Sequence, residues 1–191
     1  MEFHNIVLNG RLAYQGAKQV RLLDLCKSRR TMIDIGAHVG LWSFNMRIAF
    51  EKVHAFEPVD EHRQCFDKNL YEPYAWENVW IHDCALGEKE MLVGVTTKQG
   101  NSGDSYINGR GTIPVRRLDD YKFNEVDAIK MDCQGYELRV IEGAADTIIR
   151  NHPVIVVEEK TGTKAVAKLT SMGYEVVDVL NGDHFMTWGG Q

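Results

Sequence analysis

Residues 33–40, IDIGAHVG, leave few folds open to this chain. Thr31 to Ile35 reads as an apolar strand that ends in a turn with glycines at 36 and 40, and a helix is expected from about Gly40 to Phe50. A strand that passes through a glycine turn into a helix opens a βαβ unit, which commits the chain to a parallel sheet with crossover helices. Gly36 would let a ligand approach the backbone with no Cβ in the way, and Gly40 would permit close packing of the helix. Amides at the start of that helix lack intrahelical partners and are available to whatever occupies the turn.

The rest of the chain keeps the same rhythm. Lys52 to Phe56 reads as a second strand, Pro58 stops it, and Asp60 caps a helix that runs to Tyr71. Asn78–His82, Val126–Met131, Pro153–Val157, Tyr174–Val179 and His184–Trp188 are further expected strands. Helices are expected at Ala17–Lys27, where Val20, Leu23 and Cys26 or Lys27 keep helical spacing, at Tyr136–Asn151 with an interruption at Gly143, and at Thr161–Met172. No helix separates the last two strands, so they are expected to form an antiparallel hairpin that closes the sheet. Between 88 and 114 the rhythm breaks. There MLVGVTT reads as a strand, followed by the glycine-rich stretch KQGNSGDSYINGRG as a long loop before VRRL, a hairpin-like excursion in which Asn101 and Ser102 are candidates to gate an acceptor. With 191 residues, a single domain over 1–191 is expected, with a helical lead-in over 1–30.

Charge and composition narrow the ligands. The net charge is −5 and the lysines and arginines are scattered, with only short basic spots in RRLDDYK around Arg116 and in Ser28–Arg30. Holding a nucleic-acid backbone calls for a basic face, so a small or carbohydrate acceptor is expected, and no nucleic-acid partner. The four cysteines form no CxxC pair and the histidines show no HxxxH spacing, so no structural zinc, redox motif or resident metal is expected. There is no run of about 18 apolar residues, and MEFHNIVLNGRL lacks the basic start and apolar run of a secretory signal; a cytoplasmic protein with no membrane partner is the expectation.

Two acids select the cofactor. A dinucleotide site has GxGxxG, with its first glycine where this chain has Asp34, and a carboxylate there repels a pyrophosphate. S-Adenosylmethionine carries an ammonium and a sulfonium instead, so an acid at Asp34 suits it. Glu57, at the end of HAFE, lies about 20 residues past the glycine turn, where nucleotide-binding βαβ units hold ribose hydroxyls. Asp83 and Cys84 follow the third strand, where Asp83 would accept from the adenine amine and the Cys84 amide would donate to a ring nitrogen. His38, inside the turn, is a candidate for the cofactor carboxylate or a base near its methyl, with an exposed loop imidazole as the alternative. Asp132, in IKMDCQGYE at the carboxyl end of the fourth parallel strand, faces the same crevice, and Gly135 allows a sharp turn into the helix that follows.

The order DIGAHVG, AFEP, CALGE, RRLDDY, IKMDCQGYE with EGA after it, and PVIVVEE resembles the FkbM family of methyltransferases over residues 31–160, extended by GYEVVD and the final strand. The resemblance implies an α/β, Rossmann-like class I methyltransferase fold: seven strands, mostly parallel, an antiparallel last strand, and helices on both faces. It implies S-adenosylmethionine as cofactor and methylation of hydroxyls on sugars or secondary metabolites. It assigns Asp34, Gly36 and Gly40 to the cofactor loop, Glu57 to the ribose, and Asp132 to the strand-four acid. The family usually has asparagine at His38 and glutamate at Gln134.

Methyl transfer to an alcohol needs alignment and a positioned base. Asp132 is the first candidate to orient or deprotonate the acceptor, holding the cofactor's amino group and capping the next helix being its other readings. Glu158 is the second candidate, and Glu159 points to the opposite face. A divalent cation clamped by Asp132 and Glu158 is a minor route, because no second acid on the fourth strand supports it. A nicotinamide oxidoreductase lacks its first-position glycine, a nucleic-acid methyltransferase lacks an NPPY-type signature at DCQG, and a cofactor-binding module without catalysis stays open through Gln134.

Overall fold

The computed structural model describes residues 14–71, 77–98, 101–158 and 164–190. Helix α1 (Gly16–Leu25) precedes β1 (Thr31–Ile35), α2 (Leu41–Met46), β2 (Lys52–Phe56), α3 (Asp60–Tyr71) and β3 (Val79–His82). Strands β4 (Ala85–Leu86), β5 (Met91–Lys98) and β6 (Asn101–Arg116) follow, with a 3-10 turn at Leu118–Tyr121. Strand β7 (Val126–Met131), α4 (Glu137–Glu142), α5 (Ala145–Asn151), β8 (Val154–Glu158), α6 (Lys164–Ser171), β9 (Tyr174–Leu180) and β10 (Asp183–Trp188) complete the chain.

The main sheet is seven-stranded, in the order β3-β2-β1-β7-β8-β10-β9. Pairings β3–β2, β2–β1, β1–β7 and β7–β8 are parallel, and β10 runs antiparallel to both β8 and β9. Alternating side chains make two cores, as a sheet covered on both faces requires. On one face Ile33, Ile35, Ile129, Met131, Ile155 and Val157 pack with α4, α5 and α6 through Val140, Ile148 and Leu169. On the other, Met32, Val53, Ala55, Ala128 and Val156 pack with Leu22 of α1, Trp42 of α2, and Phe66 and Leu70 of α3. Each fully buried side chain of this size contributes about 1.5–3 kcal/mol. Among the described residues, no helix is long and apolar enough to cross a membrane.

Three expectations need correction. The first helix turns a different face inward: Val20 is 58% exposed, while Leu22 is buried along with Lys18, which pairs with Asp183 at 2.8 Å, and Gln19, which accepts from Asn45 at 2.7 Å. Periodicity counts apolar residues only, so polar residues with buried partners escape it. The helix after the glycine turn ends at Met46, short of Phe50. The interruption expected at Gly143 is present and parts α4 from α5; a Cβ there would meet the Gly87 carbonyl at 1.9 Å. And the expected long loop is strand: β6 pairs antiparallel with β5 and parallel with β4 in a second, three-stranded sheet. The register jumps from Val93↔Ile113 to Gly94↔Asn108, so Gly109 to Thr112 form a bulge. A Cβ on Gly111 would lie 2.5 Å from the Gly94 Cα, so these glycines allow a close strand crossing that composition alone reads as loop. The helix expected from Thr161 begins, within the described residues, at Lys164; Glu159 and the side chains of Asn101 and Ser102 lie outside them.

Candidate functional site

Because β1, β2, β3 and β7 run parallel, their carboxyl ends share one edge of the sheet. Strand order reverses between β1 and β7, and the connections leave on opposite sides, opening a crevice there. The cleft at this point holds about 930 Å³, counting the space open to solvent. Its walls include the loop Gly36–Val39, Glu57 and His62, the segment Cys84–Leu86, and Asp132–Gln134.

Glu57 is the best-held acid in the wall, 5% exposed. Its Oε2 accepts from the His38 amide at 2.8 Å, and its Oε1 accepts from the Val59 amide at 2.9 Å and from His62 Nδ1 at 3.1 Å. Burial pushes its pKa up, but His62, Val59 and His38 outweigh it and hold the carboxyl below its ordinary 4.5. A carboxylate offers about four lone-pair sites, so these donors leave room for one further bond rather than for both hydroxyls of a diol. The His38 imidazole stands edge-on to His62, ring centres 4.5 Å apart. Burial and then His62 pull its pKa down to about 4, so this ring is neutral at physiological pH.

Asp34 does not reach the cleft wall. It is fully buried beneath the loop, Oδ2 accepting from Ser43 Oγ at 2.7 Å and Oδ1 lying 3.3 Å from Lys130 Nζ. The two residues are direct neighbours in the β1–β7 register. Lys130 donates to the Gly36 carbonyl at 2.7 Å, so its contact with Asp34 is an ion pair rather than an aligned hydrogen bond. Burial alone would lower the Lys130 pKa; Asp34 and then Asp132 more than offset it and raise it. Gly36 lines the cleft and answers a second demand that the sequence did not show: at φ +72 its missing Cβ faces the Asp132 carbonyl, 2.0 Å away, so glycine is needed where β1 and β7 converge. Gly40, at φ +81, makes way for the Phe66 ring of α3, 2.6 Å from a Cβ there.

Across the crevice, Asp132 begins the turn into α4. Gln134, at φ 52, donates its amide hydrogens to Asp132 Oδ1 at 2.6 Å and to Glu158 Oε2 at 3.1 Å. The two carboxylates named from the sequence are therefore joined by one neutral side chain. Asp132 and Gln134 line the cleft, whereas Glu158 stands behind Gln134. Glu137 holds the turn from below, accepting from the amides of Cys133 at 2.8 Å and Gly135 at 3.1 Å. Among the described residues, no group of three or more His, Cys, Asp or Glu side chains could hold a metal ion.

Cys84 lines the cleft, its Sγ 3.3 Å from the Tyr121 hydroxyl, while Asp83 is exposed outside the wall. Sequence reasoning missed Lys130, His62, Tyr136 and the paired Val95 and Ile107, which carry the β5–β6 hairpin into the cleft as an apolar patch. Lys130 had a signal: a lysine within the apolar run AIKM of a central strand demands a buried partner. His62 and the hairpin pair had none, because their positions depend on tertiary docking.

The polar groups of the wall fit an S-adenosylmethionine-type ligand. Lys130 is matched by Asp34, so the remaining charge facing the cleft comes from Glu57 and Asp132, which suits a cation and a ribose and opposes a phosphate.

Comparisons with known proteins agree with this fold. A family model described as the methyltransferase FkbM domain matches residues 34–180. Methyltransferase FkbM from Methylobacillus flagellatus KT superposes with a TM-score of 0.60 at 21% identity, covering 85% of this chain and 44% of that one. This chain therefore spans less than half the length of that relative. A precorrin-6y C5,15-methyltransferase from Geobacter metallireducens GS-15 matches with a TM-score of 0.56 at 19% identity, over 89% of this chain and 84% of that one. TrmK of M. capricolum, in complex with its cofactor product S-adenosylhomocysteine, matches with a TM-score of 0.51 at 10% identity, over 89% and 66%. None of the curated proteins compared with the chain matches it. At these identities the solved structures establish the fold alone.

Proposed function

The chain belongs to the FkbM methyltransferase family, and from that premise we propose that it methylates a hydroxyl oxygen of a sugar or small metabolite with S-adenosylmethionine. The observation that carries the reading is a cleft at the β1–β7 reversal with ionised Glu57 on one wall and Asp132 on the other. When bound, the cofactor supplies an electrophilic methyl group on sulfur. The chain's own task is alignment. The Gly36–Gly40 loop and Glu57 hold the cofactor, and Asp132 accepts the proton that the acceptor hydroxyl gives up as its oxygen forms the new bond to carbon. Gln134 keeps Asp132 turned to the cleft, and the Val95–Ile107 patch offers an apolar surface to the acceptor.

Calorimetric titration with S-adenosylmethionine and S-adenosylhomocysteine, beside NADH, tests the cofactor. Micromolar binding of the first two, lost in Glu57→Ala, is expected; equal binding of NADH, or no binding of either, overturns the proposal. With an acceptor from a hydroxylated-compound screen, Asp132→Asn is expected to lower turnover about 10²–10⁴-fold while cofactor affinity stays close to wild type.

A further inference from the structure

His62 has no role in the reading above, yet it is only 6% exposed and lines the cleft. Its Nδ1 is 3.1 Å from Glu57 Oε1, and the His38 ring stands edge-on to it. Glu57 is held in its ionised form, so it can only accept, and Nδ1 must carry the proton of this bond. In the neutral ring that fixes Nε2 as an acceptor, and no described residue donates to it. A nine-tenths-buried side chain thus presents an unpartnered lone pair to the cleft beside an acid whose acceptor sites are nearly full. A ribose diol has two hydroxyls to place, and the Glu57 carboxylate has room for one.

We propose that His62 Nε2 accepts a hydrogen bond from one ribose hydroxyl of the bound cofactor, while Glu57 takes the other. This rests on the cofactor reading above. His62 is then a contact residue for the nucleoside half of the ligand, and the Glu57–His62 pair reads the diol as a unit. The division explains why Glu57 is already bound by two backbone amides: it is a rigid, partly satisfied acceptor, completed by the imidazole it orients.

Removing a ribose hydroxyl and replacing His62 test the same bond, so the two changes are combined in calorimetry with S-adenosylhomocysteine and its 2′-deoxy and 3′-deoxy forms. In wild type, the form lacking the hydroxyl that His62 reads binds roughly five- to tenfold more weakly, the range of one neutral hydrogen bond. In His62→Asn, whose amide can still reach Glu57 but not the Nε2 position, the parent ligand loses a similar factor and that selective penalty disappears. In His62→Gln, whose amide oxygen extends to the Nε2 position, the penalty is retained, and this variant is read alone if the asparagine one does not fold. Deoxy penalties unchanged in His62→Asn, or absent in His62→Gln, overturn the assignment while leaving the cofactor reading intact. Failure of wild type to bind S-adenosylhomocysteine at all overturns both.

Discussion

Replacing Lys130 with methionine isolates the buried charge on which the glycine turn is built. Methionine keeps the length and apolar character of the lysine stem, so the change removes the ammonium with little loss of packing. At the observed 3.3 Å, attraction between Lys130 and Asp34 is about 5 kcal/mol for an effective dielectric constant of about 20, before desolvation is subtracted. Without the lysine, Asp34 stays fully buried with the Ser43 hydroxyl as its remaining close donor. Breaking such a pair from one side costs about 3–5 kcal/mol, a large share of a typical domain stability of roughly 5–15 kcal/mol. In urea unfolding followed by circular dichroism, with a slope near 2 kcal/mol/M, the midpoint is expected to fall by about 2 M. Adding Asp34→Asn removes the stranded charge, so the double variant is expected to be more stable than Lys130→Met alone. Lys130 also holds the Gly36 carbonyl at 2.7 Å, so cofactor affinity is expected to drop in the single variant even where it remains folded. A midpoint within about 0.5 M of wild type, or a double variant that merely adds the two losses, would refute the buried-pair argument.

Gly36 and Gly135 should respond unequally: Gly36→Ala is expected to abolish folding or cost well over about 2 kcal/mol, whereas Gly135→Ala, at φ +97 with open space around it, costs about 1–2 kcal/mol by urea unfolding. Equal costs would show that the convergence of β1 and β7 is not what fixes Gly36. His54 packs between Trp80, Phe123 and His82, and burial, then His82 and Lys52, lowers its pKa from 6.5 to about 4. The unfolded chain therefore takes up the proton first: this contribution is complete above pH 6.5 and fades as the pH falls toward 4, and His54→Phe should flatten the decline in urea midpoint over that window. An unchanged slope would count against it. Gln134→Glu replaces the donor between Asp132 and Glu158 with a third carboxylate; it should destabilise by about 1–3 kcal/mol at pH 7. Repulsion raises the folded-state pKa there, so the loss should shrink on acidification, and equal stability at pH 7 would show the bridge to be dispensable.

Much of the frame is local and was legible in the residues. Strands Thr31–Ile35, Lys52–Phe56 and Val126–Met131 have the expected limits because each is a short, largely apolar run closed by a glycine, a proline or a turn. The glycine turn, the acid after the second strand and the acid after the fourth follow from those limits, since parallel strands end on one edge. The ends of Tyr174–Leu180 and Asp183–Trp188 are equally local, and their direct connection forces the antiparallel pairing.

Contacts between distant segments were decided by the tertiary structure. Nothing near Asp34 in the chain announces Lys130; the β1–β7 register makes them neighbours and takes Asp34 out of the cleft. Glu57 was singled out by its position, but the two amides and the helix side chain that occupy most of its lone pairs come from folding around it. Glycines at 109 and 111 mimic a loop in composition, and only pairing across β5 and β6 turns them into part of a strand. Hydrophobic period and turn chemistry act over a few residues, so the sequence by itself determined the strands of the main sheet, their order of chemistry and the family. Register, burial and the satisfaction of each charge are properties of segments brought together, so the fold alone decided which acid faces the cleft and which is spent holding the sheet.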